Sequence, residues 1–210
     1  MFFQLLDHDI SFPNPALAEE DGLLAVGGDL SLKRLLLAYS NGIFPWFSEG
    51  DPILWYSPHQ RCVIYPEKIK ISKSMKKVIK DEVFNITFDK AFAEVIANCA
   101  STPRAGQDGT WITNEMQEAY INLHRNGFAH SVEVWLGDVL VGGLYGIKIN
   151  HVFCGESMFS HVSNASKAAL IYLSKTDIRL IDCQLPNDHL LSLGAKMISR
   201  KTYMTILKAE

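Results

Sequence analysis

The chain has 210 residues, 48 % of them apolar, and a net charge of −3, enough to bury a substantial core in one ordinary domain or in a small domain joined to a larger one. That composition excludes a disordered chain, and the acidic balance argues against wholesale coating of nucleic acid. Apolar stretches such as Ala168-Ala-Leu-Ile-Tyr-Leu173 fall far short of the roughly 20 residues a bilayer-spanning helix needs, so no membrane partner is expected.

Met1-Phe-Phe-Gln-Leu-Leu-Asp-His-Asp9 has no basic start before its short apolar part. It does not read as a secretory signal, and a cytoplasmic protein is expected. The first sixty residues are rich in turn formers, including Pro13, Pro15, Gly22, Gly27, Gly28, Gly42, Pro45, Gly50, Pro52 and Pro58. They surround one helix, which Ser31 caps, in which Leu32, Leu35, Leu36 and Tyr39 share a face, and which Gly42 stops. This is read as a small N-terminal domain, residues 1–61.

From residue 62 to 210 the pattern changes to alternating helices and strands. Helices are predicted at 72–80, 89–100 and 115–126, the last closed by Gly127. Strands at 131–135 and 139–147 form a hairpin through Gly137-Asp138, and a third at 151–154 completes an antiparallel meander. A helix at 164–174, a strand at 179–183, a short helix before Gly194 and a final strand from Thr202 to Leu207 follow. The fold class is α+β, with helices packed on a mostly antiparallel sheet.

Phe153-Cys-Gly-Glu-Ser-Met-Phe-Ser160 and Leu180-Ile-Asp-Cys-Gln184 each place a carboxylate in an otherwise apolar run. A buried carboxylate must be paired, hydrogen-bonded or shifted in pKa, so these segments are the first candidates for a site. Asp182 and Gln184 are two apart, and on a strand they project from one face. The plainer reading makes Asp182 a turn cap and Glu156 one half of a surface ion pair. Cys62, Cys99, Cys154 and Cys183 are scattered without a Cys-x-x-Cys pair, so neither a metal site nor a disulfide framework is expected. Lys68, Lys70, Lys73, Lys76, Lys77 and Lys80 fall within thirteen residues; such a run is either a solvated helix face or a surface for phosphates.

Gly42-Ile-Phe-Pro-Trp46, Pro103-Arg104, Gly109-Thr-Trp-Ile112, Ala129-His-Ser-Val-Glu133, Gly142-Gly-Leu-Tyr-Gly146, Gly155-Glu-Ser-Met-Phe-Ser160, Asn164-Ala-Ser-Lys167, Asp182-Cys-Gln184 and Ser192-Leu-Gly-Ala195 occur in the order found in the leucyl/phenylalanyl-tRNA-protein transferase family, which the chain resembles from Phe12 to Arg200. The segment between Lys167 and Asp182 is a few residues shorter than the family pattern. The resemblance implies a bacterial cytosolic enzyme, expected as a monomer, that moves leucine or phenylalanine, with methionine a further candidate donor, from aminoacyl-tRNA to the α-amino group of proteins beginning with arginine or lysine. The product is marked for degradation. It also implies a small N-terminal domain on a larger acetyltransferase-like (GNAT-like) domain, and no cofactor, because the aminoacyl ester already stores the free energy.

By the same resemblance Asp182 and Gln184 are the catalytic pair. Gln184 accepts a hydrogen bond from the attacking amine, and Asp182 orients that amide and offsets positive charge on the nitrogen. Glu156 binds a cation, either the donor's α-ammonium or the acceptor's basic side chain. Asn187 lies near the acceptor. Leu144, Met158, Leu170 and Ile181 match the donor pocket, although each alone reads as ordinary core. Tyr39, Trp46 and Trp111 read first as packing. Trp46 and Trp111 are also chosen to stack the terminal adenosine of the tRNA, an interaction of roughly 1 to 3 kcal/mol per base. The lysines then serve the acceptor-stem phosphates. The rivals are an acetyl-CoA-dependent acetyltransferase, for which no Gln/Arg-x-x-Gly-x-Gly/Ala loop opening a helix is found, a non-catalytic tRNA-binding module, and, more distantly, a transferase building peptidoglycan cross-bridges.

Overall fold

The computed structural model describes residues 4–102 and 110–209; Pro103, Arg104 and Gly109 of the motifs above lie outside them. Among the N-terminal turns, β1 (Gln4–Leu6), β2 (Leu23–Gly27), β3 (Phe44–Pro45) and β4 (Leu54–Tyr56) form a four-stranded sheet in the order β1-β2-β4-β3. The helix α1 (Leu32–Ser40) packs beside it, burying Arg34, Leu35, Ala38 and Tyr39. Ser31 Oγ accepts from the Arg34 N–H at 3.4 Å, the expected cap. The chain turns out of α1 at Gly42, whose φ of +68° suits glycine and where a Cβ would lie 2.7 Å from Met204 Sδ.

The larger unit contains β5 (Gln60–Ile64), α2 (Lys73–Lys80), β6 (Asn85–Phe88), α3 (Phe92–Ser101), α4 (Asn114–Arg125), β7 (Ala129–Leu136), β8 (Val139–Ile149), β9 (Val152–Ser160), α5 (Ala165–Leu173), β10 (Leu180–Asp182), α6 (Asp188–Ser192), β11 (Lys196–Ser199) and α7 (Arg200–Leu207). Its seven strands run β11-β5-β10-β9-β8-β7-β6. Every neighbouring pair is antiparallel except β9 and β10, which are parallel. Among the described residues the architecture is mixed α/β with two sheets.

Helices cover both faces of the large sheet, which explains why its strands are apolar on both sides. One core holds Tyr39, Val95, Ile96, Met116, Tyr120, Tyr145, Ile147 and Tyr203, and so joins α1, α3, α4 and α7 to the sheet. The other holds Met75, Leu144, Ala168, Leu170, Ile171, Ile181 and Leu190, from α2, α5, α6 and the opposite face. At Gly142 a Cβ would come within 2.5 Å of Ala165 Cβ, so glycine there lets α5 start close against β8.

Three expectations are corrected. Thr202–Leu207 is not a strand but most of α7, because Ser199 Oγ accepts from the Thr202 N–H at 3.1 Å and Tyr203 and Leu207, four apart, are both buried. The third meander strand does not stop at Cys154; β9 continues through Glu156 to Ser160. Finally, β10 ends at Asp182, and Gln184 follows in a turn with φ of +53°. Asp182 and Gln184 therefore do not share a strand face. The strands β5, β6 and β11 were not predicted. Tyr56 ends the small sheet and Gln60 opens the large one, so Arg61 belongs to the large sheet.

Candidate active site

Between α5, α6 and the sheet lies a cavity of about 240 Å³. Its apolar wall includes Leu144 from β8, Phe153 and Met158 from β9, Leu170 and Leu173 from α5, and Ile181 from β10. All four residues assigned to the donor pocket thus meet in one place. A second cavity of about 300 Å³ is lined by Phe44, Pro45 and Trp46 of the small unit together with Pro186. The two share Trp111, Glu156, Cys183, Gln184, Leu185 and Asn187, so the polar groups stand where the apolar cavity meets the more open one. Trp46 is 39 % exposed, high for a side chain whose role would be packing alone, and Trp111, half-buried, lines the same cavity.

Glu156 sits at the junction. Gln184 Nε2 donates to its Oε1 at 3.3 Å and the Tyr120 hydroxyl donates to its Oε2 at 3.2 Å. Behind Tyr120, its hydroxyl shares a short hydrogen bond with that of Tyr39. Burial pushes the Glu156 carboxyl up to about 8, hydrogen bonds from Tyr39 and Tyr120 hold it back, and the nearby Asp182 charge adds to the rise. Burial first, and then Glu156, drive both phenols well above their ordinary range; they stay protonated and can donate. Tyr39 is 1 % exposed and lines neither cavity, so its reach to the site runs through Tyr120 and Glu156.

Asp182 is fully buried and also lines neither cavity. Its carboxylate accepts from Arg61 Nε at 2.9 and 3.1 Å, from the Tyr203 hydroxyl at 2.9 Å, and from the backbone N–H of Gln184 at 2.9 Å. The carboxylate therefore holds the main chain of Gln184, whereas the side-chain amide is held by Glu156. That corrects the expected direct contact between Asp182 and the Gln184 amide, and its cause is the end of β10 at Asp182. A buried carboxylate is tolerable there because the guanidinium of Arg61 neutralises it.

Asn187 caps α6, accepting from the Leu190 N–H at 2.8 Å, while lining both cavities. Lys73, Lys76, Lys77 and Lys80 stand exposed on α2; Lys68 and Lys70, also exposed, precede it. The lysine-bearing stretch touches the site's frame, since the Lys70 N–H donates to the Leu193 carbonyl beyond α6 at 2.9 Å. Sequence reasoning passed over Arg61, Tyr120 and Tyr203. Arg61 had a signal, a lone charge beside the apolar run Cys62-Val-Ile-Tyr65. Tyr120 and Tyr203 had none beyond helical spacing.

Comparison with known proteins matches residues 63–208 to the model described as leucyl/phenylalanyl-tRNA protein transferase and residues 28–59 to that family's N-terminal domain. The leucyl/phenylalanyl-tRNA--protein transferase of Flavobacterium johnsoniae is 56 % identical over 206 residues, covering 96 % of this chain and 97 % of that one. The protein of the same name from Shigella dysenteriae is 54 % identical over 210 residues, covering 97 % of this chain and 88 % of its own. With both family models placed along it and relatives more than half identical over almost its whole length, the chain belongs to the leucyl/phenylalanyl-tRNA protein transferase family.

Proposed function

We propose that the chain transfers leucine or phenylalanine from aminoacyl-tRNA to the α-amino group of proteins beginning with arginine or lysine, on a scaffold whose larger unit is acetyltransferase-like. The observation that carries the reading is the junction of an apolar cavity with a second cavity at Glu156 and Gln184. The donor's aliphatic or aromatic side chain fills the wall of Leu144, Met158, Leu170 and Ile181. Its adenosine rests against Trp46 and Trp111, and the acceptor amine comes to the junction. Met158 suits a pocket for two shapes of side chain, since a thioether repacks easily. The mostly antiparallel large sheet with its single parallel pair supports the scaffold reading.

The reaction is an aminolysis. The amine nitrogen attacks the ester carbonyl carbon, the new C–N bond forms as the C–O bond to the terminal ribose breaks, and one proton passes from nitrogen to the departing ribose oxygen. An α-amino group has a pKa of roughly 8, and Glu156 stands at about 8, so proton transfer between them is nearly balanced in free energy. An arriving ammonium favours the ionised carboxylate. The amide oxygen of Gln184, whose nitrogen is engaged by Glu156, accepts from the amine and aims it. Asp182 positions Gln184 through the backbone. Holding amine and ester together supplies much of the remaining acceleration through proximity.

Incubation with labelled leucyl-tRNA and a peptide beginning with arginine tests the reading: labelled peptide is expected. Label reaching the peptide from labelled acetyl-CoA but not from leucyl-tRNA would make the chain an acetyltransferase, and tRNA retention without product would make it a binding module.

A further inference from the structure

We propose that Arg61 is a positioning residue that fixes the adenosine-facing wall of the second cavity in register with the Gln184 turn; the inference rests on the transfer reaction above. Arg61 is 2 % exposed, and its guanidinium is divided between two structural units. Nε donates to both Asp182 oxygens, and Asp182 Oδ1 in turn accepts the Gln184 N–H. Nη1 donates to the Gly42 carbonyl of the small unit at 3.2 Å. The guanidinium carbon lies over two rings, 4.9 Å from the centre of Phe44 and 4.6 Å from that of Tyr203.

Each contact leads somewhere useful. Gly42 and Phe44 open the segment that ends in Trp46, and Phe44 and Trp46 both line the second cavity. Gln184 is held by Asp182 in a left-handed backbone conformation, which is uncommon for a residue other than glycine. The salt bridge is not needed to cover apolar surface. A buried ion pair can be replaced by apolar side chains at little cost to stability, so stability alone does not explain it, whereas fixing two loops against each other does. A planar fork with donors on separate nitrogens can bridge a carboxylate and a carbonyl at once, whereas a lysine ammonium carries the same charge on a single nitrogen without that fixed fork.

The test is Arg61→Lys, assayed well below its own melting temperature with a minimal aminoacyl-adenosine donor and an arginine peptide. A fall in kcat of about tenfold together with a rise in KM for the donor of several-fold is expected, where Gln184→Ala alone lowers kcat and Trp46→Ala alone raises KM. In double variants the Arg61→Lys effect on kcat should shrink when Gln184 is already alanine, and its effect on KM should shrink when Trp46 is already alanine. General weakening of the fold gives additive effects instead, and additivity in both pairs overturns the proposal. Should Arg61→Lys not fold, Tyr203→Phe serves: it removes one hydrogen bond from Asp182 and none from Gly42. Coupling to Gln184→Ala without coupling to Trp46→Ala is then expected, and additivity with Gln184→Ala again overturns the proposal. Wild type failing to transfer at all would instead remove the underlying reading.

Discussion

The side-chain amide of Gln184 donates to Glu156 Oε1 at 3.3 Å, which turns the remaining amide oxygen into the acceptor for a third group. In the proposed reaction the pair works as a unit only when Glu156 can take a proton. Single-turnover transfer should therefore rise with pH, with an apparent midpoint near the value of about 8 at which Glu156 stands. Because the amine titrates in the same range, the midpoint belongs to the pair. Tyr120→Phe separates them: it removes a hydrogen bond that lowers the carboxyl's pKa, so the midpoint should move to higher pH. An unmoved midpoint would mean that the profile reports the amine alone.

The same shift is a statement about stability. A carboxyl whose pKa rises from 4.5 to about 8 on folding binds its proton more tightly in the folded chain. Its contribution is complete below about pH 4.5 and is lost as pH rises through about 8. Glu156→Gln should match wild type in stability near pH 5 and exceed it by about 1 to 3 kcal/mol at pH 8.5, a figure discounted because the residue opens onto the cavities. Urea unfolding at the two pH values measures the difference; equal gains at both would show the carboxyl to be ionised throughout.

Two residues of the apolar wall should separate pocket from core. Met158 is half-buried and faces the cavity, so Met158→Ala should raise KM for leucyl- and phenylalanyl-tRNA by about tenfold, because less apolar surface of the donor is then covered, at roughly 25 cal/mol per Å². Leu170 is 2 % exposed and also supports the second core, so Leu170→Ala should cost about 2 to 4 kcal/mol of stability besides. A drop of several degrees in the Tm of Met158→Ala with unchanged KM would place that side chain in the core.

The helices α2 and α4 were legible from apolar residues at helical spacing and from the capping hydroxyls of Ser72 and Thr113; α3 and α5, which open without a side-chain cap, were legible from their apolar-rich length alone. The strands β5, β6 and β11 were not, since four or five residues with a charged or polar start give too little alternation to read. At the site, the apolar wall and the two carboxylate-bearing segments could be picked from residue type and motif order. How the polar groups are wired could not. The expected Asp182–Gln184 pairing assumed that the strand continued, whereas the chain leaves it after Asp182. The partners that then matter, Arg61 from β5, Tyr120 from α4 and Tyr203 from a helix expected as a strand, come from far along the chain and meet only in the folded molecule.

The lysines divide by what they touch. Lys77 of α2 pairs with Asp81 just beyond the helix, but both are exposed, so the pair adds little stability and leaves the cluster available to phosphates. Neutralising Lys73, Lys76 and Lys77 together should raise KM for aminoacyl-tRNA and flatten its salt dependence, by about 0.7 to 0.9 in log-log slope for each phosphate that no longer meets a lysine. A minimal aminoacyl-adenosine donor, with no acceptor stem, should be used equally well by variant and wild type. Trp111→Ala should impair both donors. Normal binding of full-length tRNA by the lysine variant at low and moderate salt would make α2 a solvated face.

The most direct test of the account is single-turnover transfer of labelled leucine from saturating leucyl-tRNA to an arginine peptide by wild type, Gln184→Ala and Asp182→Ala. Wild type should label the peptide. Both variants should bind leucyl-tRNA and slow the transfer by about a hundredfold or more, and the double variant should be little worse than either, as for residues acting as one unit. Transfer by Gln184→Ala at the wild-type rate would contradict the central claim that the junction of the two cavities at Gln184 and Glu156 is where the amine meets the ester.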